Sequence, residues 1–327
     1  QLTSRLNGIK TVGHRFAIIA NHFYPLNEAL CVIYSYSVTL RNMMLNIVNR
    51  VKLIEKLINE DTHCSLTYAA LESRLTIEFI CYERFKSSYS YLSPKDLKKW
   101  QPKDVVKQIS DDVSAMANED LTVEICKLPK GYEPPETEEQ YKVLKYQKLG
   151  VQKALKLRNI SKLWNALSKL ALHLPVPTIE NPNISIYGDK ASITNKVFEA
   201  LELFKELQGS NIIVGGCMGT VFNFKCETCH VDIKKPIDSL RPPQVVNCIT
   251  PSCQESYLIE SGELDKEFTY CRNVFEYQCG NCDSSELIPH NNFLHLRMNQ
   301  ELSFCCSKCQ SETTFIMRPM VRCVANT

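Results

Sequence analysis

The chain has 327 residues, 44% hydrophobic and 23% charged, with a formal net charge of +2. This is the balance of an ordinary globular protein of two or three domains, and it excludes a chain drawn to nucleic acid by overall charge, so any such affinity must be local. The longest uncharged apolar run, Ala29 to Leu40, is 12 residues, too short to cross a bilayer, and no secretory signal is legible; the expectation is a cytoplasmic protein with no membrane partner.

Residues 1–25 are mixed in pattern, and Pro25 would break a helix there. From Asn27 to about Asn59, Leu30, Ile33, Val38, Leu45, Val48, Val51, Ile54 and Ile58 recur at helical steps without Gly or Pro, which predicts one long helix. N-capping residues between Asp61 and Ser65 precede a second helix, about Leu66 to Tyr91. Its apolar face (Leu71, Leu75, Ile77, Cys81, Phe85) is interrupted by Glu78. Ser93-Pro94 opens a short helix through Trp100, and Pro102 opens another through about Ala115. Residues 1–135 thus read as an antiparallel helical bundle, closed by a turn or linker at Gly131–Pro135.

Residues 136–209 form the next expected segment. Between Tyr141 and Leu174 there are eight basic residues and no acid: Lys142, Lys145, Lys148, Lys153, Lys156, Arg158, Lys162 and Lys169. Leu144, Leu149, Leu155, Ile160, Leu163, Trp164 and Leu167 lie between them. The pattern predicts one or two basic amphipathic helices, broken near Gly150 and packed on the bundle. Such a stripe suits a nucleic-acid backbone, or else pairs with acids elsewhere in the fold. Ile193 to Gln208 reads as a further helix ended by Gly209, and Ile212-Ile213-Val214 as a β-run.

Cysteine use changes sharply after residue 216: only Cys31, Cys64, Cys81 and Cys126 of the sixteen come before it. Residues 210–327 are therefore set apart as a domain. Four knuckles follow: Cys226/Cys229, Cys248/Cys253, Cys279/Cys282 and Cys306/Cys309. They supply thiolates for two tetrahedral four-cysteine sites, and two structural zinc ions are the expected cofactor. The gaps of 18 residues (Cys229 to Cys248) and 23 residues (Cys282 to Cys306) each hold short strands and a turn. Thr220–Phe224, Val274–Tyr277 and Leu302–Phe304 alternate like strands entering knuckles. Disulfides fit a chain without a secretory signal less well, and the long gaps do not match clustered iron–sulfur spacing. Sequence leaves open whether the knuckles pair in order or interleaved, and whether Cys305 or Cys306 is the ligand. With every ligand drawn from protein, the zinc would be structural rather than catalytic. No internal repeat stands out. The expected fold class is α+β: an N-terminal helical bundle, then a small β-rich double zinc ribbon.

No phosphate-binding loop, nucleophile elbow or His-Glu-x-x-His motif is present. Arg74 and Glu78 stand one turn apart on the second helix and read first as an ion pair. Glu72-Ser73-Arg74-Leu75-Thr76-Ile77-Glu78-Phe79-Ile80 and Lys99-Trp100-Gln101-Pro102-Lys103-Asp104-Val105-Val106-Lys107 are similar to segments of HEPN-like prokaryotic helical proteins, as is the helix with Trp164, Leu167, Leu172 and His173. The resemblance spans about residues 26–175. It implies a helical bundle, a C-terminal zinc ribbon in some members, a link to antiphage defence and, for the ribonucleases among them, an Arg followed four to six residues later by His. Arg74, Arg84 and Arg158 have no His at that distance, which leaves Arg74, Glu78 and His173 as the candidate divergent site. The leading expectation is a non-catalytic zinc-ribbon protein that binds DNA or RNA or assembles with protein partners. Its alternatives are a divergent HEPN-type ribonuclease and a purely protein-docking subunit.

Overall fold

The computed structural model describes residues 9–12, 15–20, 47–127, 137–177, 179, 182, 187–213, 220–263 and 267–318. The protein is α+β, with helices in the N-terminal part and a small antiparallel strand-rich region carrying two four-cysteine groups in the C-terminal part. It divides into two compact units, Gln1–Tyr89 with Lys99–Met218, and Ser90–Lys98 with Gly219–Thr327. Residues 136–209 fall within the first unit. No helix among the described residues is long and apolar enough to cross a membrane.

In the first unit, strands β1 (Ile9–Val12) and β2 (Arg15–Ala20) are followed by helices α1 (Val48–Glu60) and α2 (His63–Lys86). The expected helix from Asn27 is seen from Val48; its earlier part lies outside the described residues. Asp61 ends α1 in the left-handed conformation (φ 49°). Thr62 then opens α2, the Thr62 hydroxyl accepting the Ser65 N–H while the Ser65 hydroxyl accepts the Thr62 N–H. The buried positions of α2 include Leu66, Ala69, Ala70, Ile77, Ile80, Cys81 and Phe85; Leu75, expected on that face, is exposed. The helix expected from Ser93 to Trp100 is a single 3-10 turn, Pro94–Asp96.

Helix α3 (Pro102–Asp112) starts at its proline as expected. Strand β3 (Leu121–Lys127) and the short helix α4 (Glu138–Lys142) precede β4 (Gln147–Gln152), α5 (Leu157–Leu172) and α6 (Lys190–Gln208). The strands make a mixed sheet, β1-β2-β3-β4, in which β2 and β3 run parallel and the outer pairs antiparallel. This corrects the all-helical reading of the N-terminal half and of residues 141–174. Pairing with the β-branched strand β3 overrides the helical pattern around Gly150, where an added Cβ would lie 2.4 Å from the Ile212 side chain. Lys156, in the left-handed conformation, separates β4 from α5. Helices α1, α2, α5 and α6 share one core with Ile54, Leu66, Ile77, Leu163, Leu167, Val197 and Phe204.

The expected β-run at 212–214 is not a strand where it is described. Asn211 instead docks on β4: its side-chain oxygen accepts the Val151 N–H at 2.7 Å, and its own N–H donates to the Val151 carbonyl at 3.0 Å. These bonds satisfy the backbone locally without a ladder.

The second unit is built from hairpins. Strands β5 (Val221–Lys225) and β6 (Asp232–Pro236) pair, and β7 (Gln244–Asn247), β8 (Ser256–Ser261) and β9 (Phe268–Arg272) form a three-stranded sheet. Then β10 (Val274–Gln278) pairs with β11 (Ser285–Pro289), and β12 (Glu301–Cys305) with β13 (Glu312–Ile316). Phe224, Ile233, Val246, Tyr257 and Ile259 form a core beside the first cysteine group.

Candidate metal centres

Each knuckle is a turn between two paired or successive strands. In three of them the same bonds recur. The second residue after the knuckle gives its carbonyl to the first cysteine N–H: Val231 to Cys226, Ser284 to Cys279 and Ser311 to Cys306, each at 2.9 Å. The residue just after the second cysteine takes the left-handed conformation and returns its N–H to the first cysteine carbonyl: His230 to Cys226 (2.9 Å), Asp283 to Cys279 (2.9 Å) and Gln310 to Cys306 (3.0 Å). The backbone thus turns tightly enough to aim both sulfurs into one space. In the longer Cys248–Cys253 knuckle the Cys248 N–H donates to the Glu255 carbonyl at 3.0 Å, and the Cys253 N–H to that of Thr250 at 3.0 Å.

The sulfurs gather as Cys226, Cys229, Cys248 and Cys253, and as Cys279, Cys282, Cys306 and Cys309, each set within 4.8 Å. The knuckles are therefore grouped in sequential order, and Cys306 rather than the exposed Cys305 faces the second set. Contacts between the two knuckles of a set are 3.8 Å (Cys226–Cys253) and 3.5 Å (Cys229–Cys248) in the first, and 3.7 Å (Cys279–Cys309) and 3.6 Å (Cys282–Cys306) in the second. A tetrahedron with metal–sulfur bonds of about 2.3 Å has sulfur–sulfur edges of about 3.8 Å. The donor sets fit two metal ions held entirely by thiolates.

Nearby hydroxyls are placed to donate to thiolates. Thr250 lies 3.4 Å from the Cys229 sulfur, and Tyr257 donates to Cys226 at 3.4 Å. Ser311 lies 3.1 and 3.0 Å from Cys279 and Cys309, and Ser284 is 3.1 and 3.2 Å from Cys282 and Cys306. The Ser311 hydroxyl, foremost, draws the Cys309 thiol down to about 5. Burial pushes Cys248 and Cys253 up. Such donors orient metal-bound sulfurs and disperse their charge.

The first centre is braced from Ser90–Lys98. The Lys95 ammonium donates to the Cys253 carbonyl and to Gln254 (3.0 Å). Asp96 accepts from the Asn247 side chain at 2.7 Å and pairs with the buried Lys235 at 3.2 Å. Glu255, 2% exposed, is matched by Arg272 (2.6 Å) and the Thr228 hydroxyl (2.7 Å).

The two halves of this unit are an internal repeat that the sequence reading missed. Val221-Phe222-Asn223-Phe224-Lys225-Cys226 and Val274-Phe275-Glu276-Tyr277-Gln278-Cys279 share Val-Phe-x-aromatic-x-Cys, 53 positions apart (226 to 279). The offset holds through Cys229 and Cys282, the left-handed His230 and Asp283, and Pro236 and Pro289, each of which opens a 3-10 turn. Of the leftover residues, His290 stacks on Phe275 at 4.9 Å and Cys271 is exposed on β9; Cys217 and Cys323 lie outside the described residues.

Arg74 and Glu78 do meet, at 2.8 Å. Glu78 also accepts the Trp164 indole N–H at 2.9 Å, while Arg74 donates to Ser168 at 2.9 Å and sits 5.0 Å over the Trp164 ring. Among the described residues no hydrogen bond or ion pair ties His173 to either. It is exposed at the end of α5, nine residues and so about 13 Å beyond Trp164. The arrangement is a clasp between α2 and α5.

The basic residues are spread over α4, β4, α5 and the segments that connect them, because the segment is not one helix. Lys153 pairs with Asp120 (3.3 Å) and Lys156 with Glu206 (2.7 Å). Lys142 ends α4 and is exposed. Lys145, Lys148, Arg158, Lys162 and Lys169 are exposed without an ion pair among the described residues, the last three along one face of α5. Comparison with known proteins found no matching family model, no matching curated protein and no matching solved structure.

Proposed function

We propose that this chain is a non-catalytic nucleic-acid-binding protein whose ribbons are held by two structural zinc ions. The observation that carries the binding reading is the exposed basic set Lys145, Lys148, Arg158, Lys162 and Lys169, whose charge no neighbouring acid neutralises among the described residues. Zinc is favoured because each set offers four cysteine sulfurs within 4.8 Å of one another, the number and kind of donor that fill a structural zinc site. The acidic balance of the ribbons supports a division of labour: residues 220–318 carry nine Lys/Arg against thirteen Asp/Glu. The phosphate contacts are assigned to the helical unit, and the ribbons to rigid display of loops to protein partners.

The test is metal analysis of the purified protein with a salt series against labelled single- and double-stranded DNA and RNA, each sample also run on a denaturing gel. Two zinc ions per chain and an affinity that falls steeply with salt, with intact ligand, are the expected result. Cleavage lost on Arg74→Ala would instead establish the HEPN-type ribonuclease. Absence of binding to all ligands would leave the protein-docking subunit.

A further inference from the structure

A second basic surface lies on the helical unit, around the end of α2 and the start of α3. Trp100 is 54% exposed and Tyr89 48% exposed. Both rings are anchored on the buried Phe85, Tyr89 at 4.9 Å with an interplanar angle of 81°, and Trp100 at 6.1 Å with an angle of 79°. Their centroids are thus at most about 11 Å apart, the sum of those two separations. Trp100 also meets Tyr82 at 68°, and the Tyr82 hydroxyl donates to the Trp100 carbonyl at 3.1 Å. The perpendicular contacts fix the rings, and both residues stay about half exposed.

Lysines flank them in the chain. Lys99 adjoins Trp100, Lys103 and Lys107 follow one turn apart on α3, and Lys86 ends α2. Lys99, Lys103 and Lys107 have no ion pair among the described residues; Lys86 has Glu83 at 3.9 Å. Glu83 and Asp104 are acids within the group.

We propose that Trp100 and Tyr89, flanked by Lys86, Lys99, Lys103 and Lys107, form a stacking site for single-stranded nucleic acid. The proposal deepens the nucleic-acid reading above and rests on it. Each base offers a flat face to an anchored aromatic ring, and the lysines match the phosphates between bases. Stacking of neighbouring base pairs in a duplex would hide those faces, so the site selects single strands. Two rings beside Lys99, Lys103 and Lys107, which have no ion pair among the described residues, suit this ligand better than a protein surface, which would need a broader apolar patch.

The test uses the full chain with a fluorescein-labelled single-stranded RNA or DNA 20-mer and the matching duplex, read by anisotropy, together with intrinsic tryptophan fluorescence against unlabelled strand. Single strand should bind more tightly than duplex and quench the emission. Trp100→Ala should weaken single-strand binding by about 5- to 150-fold, the range for one lost stack, with little change in the salt slope. Trp100→Phe should keep most of the affinity and lose the quenching, which separates stacking from folding damage. Joint Lys99→Ala, Lys103→Ala and Lys107→Ala should flatten the salt slope by about 2. Unchanged binding by Trp100→Ala would overturn the stacking site; loss of that binding on Arg158→Ala, Lys162→Ala and Lys169→Ala would still uphold the parent reading. No binding by the wild-type chain would overturn both and leave the exposed rings to a protein partner.

Discussion

Arg84 shows how one residue can hold an element in place without advertising it in the sequence. It is 1% exposed, and its guanidinium donates to the Ala117 carbonyl at 3.0 Å and the Lys153 carbonyl at 2.9 Å. Burial lowers its pKa to about 10, so it stays protonated at neutral pH. Arg84→Ala removes the donor from two carbonyls and leaves a cavity, and should cost at least about 3 kcal/mol in denaturant unfolding. Cysteines differ in the same environment-driven way. Burial pushes the Cys81 thiol up to about 12, whereas Cys64 and Cys305 are exposed. Iodoacetamide at pH 8 should label Cys64 and Cys305 in the metal-loaded protein but spare Cys81 and Cys306 until the chain is denatured; labelling of Cys306 with Cys305 protected would reverse the ligand assignment.

At the scale of elements, the second ribbon has few buried side chains of its own. In the second ribbon, Cys279 and Cys306 are buried but Phe275 is 45% exposed. Metal binding must therefore supply most of the ordering energy there, on the order of 10 kcal/mol. A strong chelator should abolish the β-signals of residues 274–316 in hydrogen exchange while the α1–α2–α5–α6 core stays protected. Cys279→Ser should halve the bound metal and leave the first centre loaded; loss of both ions would show that the two sites fold as one. The repeat explains why they should be separable, since each centre draws its ligands from its own two knuckles.

For the whole molecule, charge is divided between regions. The ribbons carry an excess of four acids over residues 220–318, although the chain as a whole is +2. Screening should then weaken binding mainly through the helical unit. Arg158→Ala with Lys162→Ala and Lys169→Ala should flatten the log–log salt slope by about 2 for a single strand, whereas Lys234→Ala on β6 should leave it unchanged.

Local chemistry was legible in the sequence because it depends on spacing. The eight knuckle cysteines, the strands running into them, the proline start of α3 and the span of α6 all follow from turns, caps and periodicity within a few residues. The ribbon repeat was legible too, in Val-Phe-x-aromatic-x-Cys, but needs two stretches 53 positions apart to be compared. Tertiary structure alone decided what depends on distant partners. Gln147–Gln152 is a strand because β3 pairs with it; Glu78 is spoken for because Trp164 and Arg74 reach it; and Lys153 and Lys156 are neutralised by Asp120 and Glu206. The grouping of knuckles in sequential order belongs here as well, since spacing permits either pairing and only the fold brings particular sulfurs within 4.8 Å of one another. Sequence periodicity reports which face of a segment is apolar, but not which neighbour will satisfy its backbone or its charge.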